Sequence, residues 1–214
     1  MRPDHSEELE PVLKTKPFGL LILFAAAILL AAAPGEASAQ ASLSAPTYIL
    51  GNQALIISAG MFVPLFFQSP TGSLAGTNLS LGGVGSLQWA AYLNGNMTLG
   101  LEGGGMFAFS PNNRSLFMLP VTARYMYILR FYPFEVPLSI SAGVNFTRLA
   151  EQFQILPILK PGASFFWNYD YEWAFGLNCI WWWTPNVYFG PTPSSSQTRF
   201  GNFLEITLSA MYHF

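Results

Sequence analysis

Glu102, Arg124, Lys160 and Glu205 are two acids and two bases, each in a stretch that otherwise holds almost no charge. Brought together away from water, they would neutralise one another, which is the condition under which buried ions are tolerated. Other chemistry is thinly supplied. His213 is the single histidine after residue 39, and Cys179 is the single cysteine. Cys179 has no partner for an internal disulfide and reads as a small apolar residue, packed or facing lipid. No catalytic residues, metal ligands or cofactor are assigned, and the chain is expected not to be an enzyme.

The four charges need elements that hold them at one level. They sit in segments that alternate between apolar and small or polar residues, the period of two of a strand with distinct faces. Leu99, Leu101 and Phe107 alternate with Thr98, Gly100, Glu102 and Gly104. Val121, Ala123 and Tyr125 alternate with Thr122, Arg124 and Met126, and Leu159, Ala163 and Phe165 with Lys160, Gly162 and Ser164. The chain ends on "ITLSAMYHF", with Ile206, Leu208, Ala210, Tyr212 and Phe214 on one parity. Glu205, Thr207, Ser209, Met211 and His213 take the other. Alternating segments from about Leu55, Leu79, Leu138 and Trp173 bring the number to eight. Asn94-Gly95 is a strong hairpin signal, and the stretches around Pro133 and Asp170 also read as short turns. Residues 65–78, 149–157 and 185–200 read as longer loops, and "SPNNRS" as a polar turn.

The charges decide which way such a sheet faces. The aliphatic parity carries none between its ends, while the small and polar parity holds all four. A barrel in water would place charge outside; this pattern places lipid outside. A sheet in lipid cannot leave an edge unpaired, so it must close. The fold expected is all-β: an eight-stranded antiparallel up-and-down transmembrane β-barrel over residues 53–214.

Glu102 lies about seven residues beyond Gly95, Arg124 about nine before Pro133, Lys160 about ten before Asp170, and Glu205 nine before the C-terminus. At about 3.3 Å per residue the four share one layer. Glu102 and Arg124 are expected to be cross-strand neighbours. Eight strands enclose a space just wide enough for side chains to fill, so a polar plug is expected rather than an open channel.

The N-terminus reads as a targeting segment. "FGLLILFAAAILLAAA" (residues 18–33), followed by Ala37 and Ala39, has the short apolar core and small-residue site of a secretory signal cleaved near Gln40. This gives a signal peptide over 1–39, a periplasmic lead-in over 40–52 and the barrel beyond. Asp4, Glu7, Glu8 and Glu10 stand where positive charge is expected. A start near Val12 would leave Lys14 and Lys16 there instead. After residue 39, six acidic and six basic residues balance, so no basic surface calls for nucleic acid. Trp89, Tyr92, Tyr127, Phe131, Tyr132, Trp167, Tyr169, Tyr171 and Trp173 gather near the short turns. They are expected to form an aromatic girdle at the headgroup level.

The signal, the eight alternating segments and the terminal "ITLSAMYHF" resemble the small outer-membrane β-barrels of diderm bacteria. The resemblance implies an outer-membrane location with lipid as surroundings. It also implies the barrel-assembly machinery as a partner, reading Leu208, Ala210, Tyr212 and Phe214. The hydrophobic stretches "LFF" and "WWWTPNVYFG" and the glycine-rich interior resemble the OmpW/OprG group, with spirochaetal members among such barrels. That group is associated with uptake of small hydrophobic molecules. By this resemblance a small apolar ligand would enter at Phe66, Phe67, Trp181, Trp182, Trp183, Tyr188 and Phe189 and leave sideways between strands. The alternative is a surface structural or adhesion barrel, similar to OmpX and OmpA, without transport. Barrel deacylases carry a Ser/His site near the outer rim; His213 falls at the opposite end.

Overall fold

The computed structural model describes residues 48–110, 115–149, 152–186 and 199–214. The proposed signal peptide, most of the lead-in, Tyr188 and Phe189 lie outside them. The alternating segments become long strands: β1 (Gln53–Gln68), β3 (Gly82–Asn94), β4 (Met97–Phe109), β5 (Ser115–Phe131), β6 (Phe134–Leu149), β7 (Gln152–Asn168), β8 (Trp173–Asn186) and β9 (Arg199–His213). A two-residue strand, β2 (Leu74–Ala75), pairs with the end of β1. Each long strand runs antiparallel to the next, and β9 pairs with both β8 and β1. The eight-stranded sheet is thereby closed. Gln53 and Phe214 complete the ring by exchanging backbone hydrogen bonds of 2.9 and 3.0 Å.

The period of two sorts the side chains as lipid requires. Leu99, Leu101, Leu138, Ile140, Phe175 and Leu208 stand exposed on the outer wall. Thr98, Ser141, Asn178, Thr207 and Ser209 are buried within. Glycine makes room where the interior is crowded: a Cβ on Gly100 would run into the Trp89 carbonyl. The short turns are fixed by their own side chains. Asn94 Oδ1 accepts from the Asn96 amide at 2.9 Å, and Asp170 Oδ1 from the Glu172 and Trp173 amides at 2.9 and 2.7 Å.

Several boundaries differ from the sequence reading. The stretch read as a loop over 149–157 is mostly strand, because β6 runs to Leu149 and β7 begins at Gln152. Gln154, Leu156 and their neighbours keep pairing with β6, so the ladder outlasts the alternation visible in sequence. β1 likewise extends to Gln68, past a register shift between Pro64 and Phe66. One extra residue in a strand reverses the faces that follow. Leu79 and Leu81 precede β3, and Leu79 packs on the buried apolar cluster at the loop end.

The ladders break beside prolines, which have no N–H to give. Gly104 and Gly105 lack partners in β5 beside Pro120, and Val136 and Pro137 lack partners in β7. Among the described residues the longest break lies between β7 and β8. No ladder pairing joins residues 156–158 to 184–186, nor Lys160 and Pro161 to β8, and Pro157, Pro161 and Pro185 border this seam.

Candidate functional site

The interior is layered. Its middle layer gathers all four charges singled out above. Arg124 Nη1 donates to Glu102 Oε2 at 3.1 Å, and Arg124 Nη2 to Ser139 Oγ at 3.1 Å. Lys160 Nζ bonds to Glu102 Oε1 and stands 3.4 Å from Glu205 Oε2. Lys160 and Glu205 are fully buried. Glu102 and Arg124 are diagonal rather than directly opposed, since the register sets Gly100 against Arg124 and Glu102 against Thr122. A long arginine side chain spans that diagonal. Toward the short turns, Asn178 Nδ2 donates to Thr207 Oγ1 at 2.9 Å and bonds to Ser209, whose hydroxyl meets that of Ser58 at 2.7 Å. Two acids, two bases and their hydroxyl neighbours fill this level of the lumen.

The sequence places Trp182 among the entrance residues. It lies instead inside the barrel, 1% exposed. Its indole N–H donates to Glu205 Oε2 at 2.6 Å, and its ring lies 4.3 Å from the Lys160 ammonium. Its other neighbour is apolar: the Phe62 ring packs edge-on at 5.1 Å. Trp182 thus roofs the charges. Above it, toward the loops, Phe62, Met106, Met118, Ile158 and Phe203 form an apolar cluster.

Over that cluster lies a cavity of about 450 Å³ at the loop end. Phe67, Leu116, Met118, Leu156 and Phe203 give it apolar walls, and Asn78, Gln154, Asn186 and Arg199 a polar rim. Of the described entrance residues, Phe67 alone lines it, packed edge-on against Phe203 at 6.2 Å. The register shift after Pro64 turns Phe67 inward. Trp181 and Trp183 are exposed on the outer wall, with Phe66 half-buried. The cavity borders the β7–β8 seam, because Gln154 and Leu156 come from one side of it and Thr184 and Asn186 from the other. Across the seam Asn186 Nδ2 donates to Gln154 Oε1 at 3.1 Å.

At the short-turn end a third layer pairs Arg130 with Glu135 at 3.3 Å. Tyr92, placed in the girdle from sequence, is 1% exposed inside the lumen and belongs to this layer. The other proposed girdle residues, such as Trp89, Phe131, Trp167 and Tyr169, do stand exposed. Parity could have found both corrected residues: Tyr92 shares the face of Gln88 and Ala90, and Trp182 that of Asn178 and Ile180. At the C-terminus, Leu208 and Phe214 are exposed, while Ala210 and Tyr212 are half-buried on the same face.

A protein-family model that carries no functional description matches residues 35–212. A protein of Borreliella burgdorferi, whose name assigns it no function, is 26% identical over 153 residues. That match covers 61% of this chain and 72% of the relative. Among solved structures, Neisserial surface protein A superposes with a TM-score of 0.53 at 11% identity, covering 77% of this chain and 97% of that one. OprG of Pseudomonas aeruginosa superposes with a TM-score of 0.50 at 12% identity, covering 80% and 99%. At these identities the likeness is one of fold, and it agrees with an apolar outer wall around a polar interior. The chain belongs to the family whose model spans residues 35–212, and it folds as a small eight-stranded β-barrel of the outer-membrane type.

Proposed function

We propose that this barrel is a passive port for small apolar molecules, which enter the outer cavity and leave sideways into lipid between β7 and β8. The observation that carries this reading is the coincidence of cavity and seam. The cavity has apolar walls, and the longest break in the described ladders lies beside it. Prolines have no N–H to give, so this stretch of wall is held by fewer backbone bonds than the rest. The route straight down is unfavourable for any solute, because Trp182 and four mutually paired charges fill the lumen beneath. A non-enzymatic role fits the site of His213, buried at the short-turn end with its Nδ1 3.4 Å from the Tyr92 hydroxyl.

Reconstituted barrels with Leu156→Cys and Asn186→Cys, in a Cys179→Ala background, test the route. Flux of an apolar and a polar solute into liposomes is measured before and after oxidation. The expected result is apolar flux that the disulfide stops and reduction restores. Apolar flux indifferent to the disulfide rejects the lateral route. Polar flux alone rejects the apolar port. No flux of either kind supports a surface structural barrel, a reading in keeping with the name of the neisserial surface protein.

A further inference from the structure

Tyr48 lies ahead of the first strand, yet it is only 7% exposed. Its neighbours Ile49 and Leu50 are 64% and 73% exposed, so of residues 48–50 only Tyr48 turns inward. The insertion is built. Gly51, at a φ of +96° that favours glycine, reverses the chain, and Asn52 Oδ1 accepts from the Ile49 amide at 2.8 Å. The Gly51 amide donates to the Tyr92 carbonyl at 3.1 Å, and the Tyr92 amide to the Asn52 carbonyl at 2.8 Å.

The ring so delivered meets matched surfaces. It stacks on Tyr92 at 4.5 Å with 9° between planes and lies 4.5 Å from the His213 ring. The Arg130 guanidinium sits 4.5 Å over its face, a cation–π contact. Burial, reinforced by the Glu135 carboxylate, pushes the Tyr48 phenol above its ordinary value, so the ring docks uncharged. Around it, His213 Nε2 has no hydrogen-bond partner, although the side chain is more than nine-tenths buried. Buried polar atoms almost always find partners.

We propose that residues 48–52, just ahead of β1, are the stopper of the barrel's periplasmic mouth. Its Tyr48 ring fills a receptor made by Tyr92, Arg130 and His213, and this end of the lumen is shut by a docked side chain rather than by the wall. The closure is separate from the charged middle layer, which blocks the lumen whether or not the ring is seated. Ionic conductance is therefore the wrong readout, and local access from the periplasmic end is the right one.

Ala174 lies fully buried in the same cluster as Tyr48 and serves as reporter. In a Cys179→Ala background, Ala174→Cys is treated with a charged, membrane-impermeant methanethiosulfonate, and only barrels with the mobility of the folded form on unboiled gels are scored. With Tyr48→Ala the modification is expected to run roughly tenfold faster, the change that follows when a ring stack and a cation–π contact are lost together. Tyr48→Phe keeps the ring and is expected to react at the rate of the Tyr48 parent. An unchanged rate with Tyr48→Ala overturns the proposal, and so does a Tyr48→Phe barrel as reactive as Tyr48→Ala.

Discussion

The ammonium of Lys160 stands 4.3 Å from the centre of the Trp182 ring. Through that contact the charged middle of the lumen is joined to its apolar outer layer. Lys160 shares its charge between Glu102 and Glu205, and Trp182 donates to the second of these carboxylates. The same tryptophan meets Phe62 on its other side. An aromatic ring with one N–H is suited to such a boundary, since it packs as a hydrophobe and still satisfies a buried acid.

Removing the shared cation should be costly. Lys160→Met leaves Glu205 buried without its ion pair, and breaking a buried pair in this way costs about 3–5 kcal/mol. Adding Glu205→Gln should recover much of that loss, because Arg124 still neutralises Glu102. Urea unfolding of the folded gel form in detergent measures both. Glu205→Gln alone should lower stability while planar-bilayer conductance stays at the level of the unaltered barrel. A large new conductance would show that the layer gates a pore.

The two roles of Trp182 can be separated. Trp182→Phe keeps a ring between Lys160 and Phe62 but loses the N–H that reaches Glu205. Hydrogen bonds to charged groups contribute about 1.5–3 kcal/mol, and the loss should fall in that range. Trp182→Ala loses the packing as well and should cost about 3–5 kcal/mol. Equal losses in the two variants would mean that the ring contributes little beyond its N–H.

The seam makes a prediction of opposite sign. Pro157→Val together with Pro161→Val gives β7 two amides with which to pair. Each new backbone hydrogen bond should add about 0.5–1.5 kcal/mol of stability. Liposome flux of an apolar solute should fall in the same variant. Higher stability with unaltered flux would place the exit elsewhere.

Phe214→Ala should reveal whether the terminal aromatic is a signal. The backbone bonds between Gln53 and Phe214 do not need the side chain, and that side chain is 57% exposed. Unfolding of the assembled barrel should therefore change little. The amount assembled in the membrane of a cell, read by gel mobility, should fall well below that of the unaltered chain. Normal assembly would leave Phe214 as the end of a strand and nothing more.

Much of the barrel was legible because its logic is local. In a strand, successive side chains point to opposite faces, so parity alone assigned Leu99 and Leu101 outward and Glu102 and Arg124 inward. Counting residues from the turns placed four charges at one level because strands rise by a nearly constant amount. The same parity also settles two aromatic residues. The family resemblance groups Trp182 with Trp181 and Trp183, and nearness to the short turns groups Tyr92 with the girdle, although both parities point inward. The loop read over 149–157 was a different matter: pairing with β6, not an alternating pattern, holds that stretch as strand.

By itself, then, the sequence determined the eight long strands, the face taken by most of their residues and the scarcity of charge that demands lipid outside. Tertiary structure decided what depends on closure. Glu102 and Lys160 are 58 positions apart, and Ser58 and Ser209 are 151 apart. No periodicity records such distances, and only the return of β9 to β1 brings these side chains into one lumen. The register shift after Pro64 turned Phe67 into the cavity, and a broken ladder set the seam beside it. Tyr48 depends on closure most of all. It belongs to no strand, and the mouth that receives its ring exists only once all eight strands have formed a ring of their own.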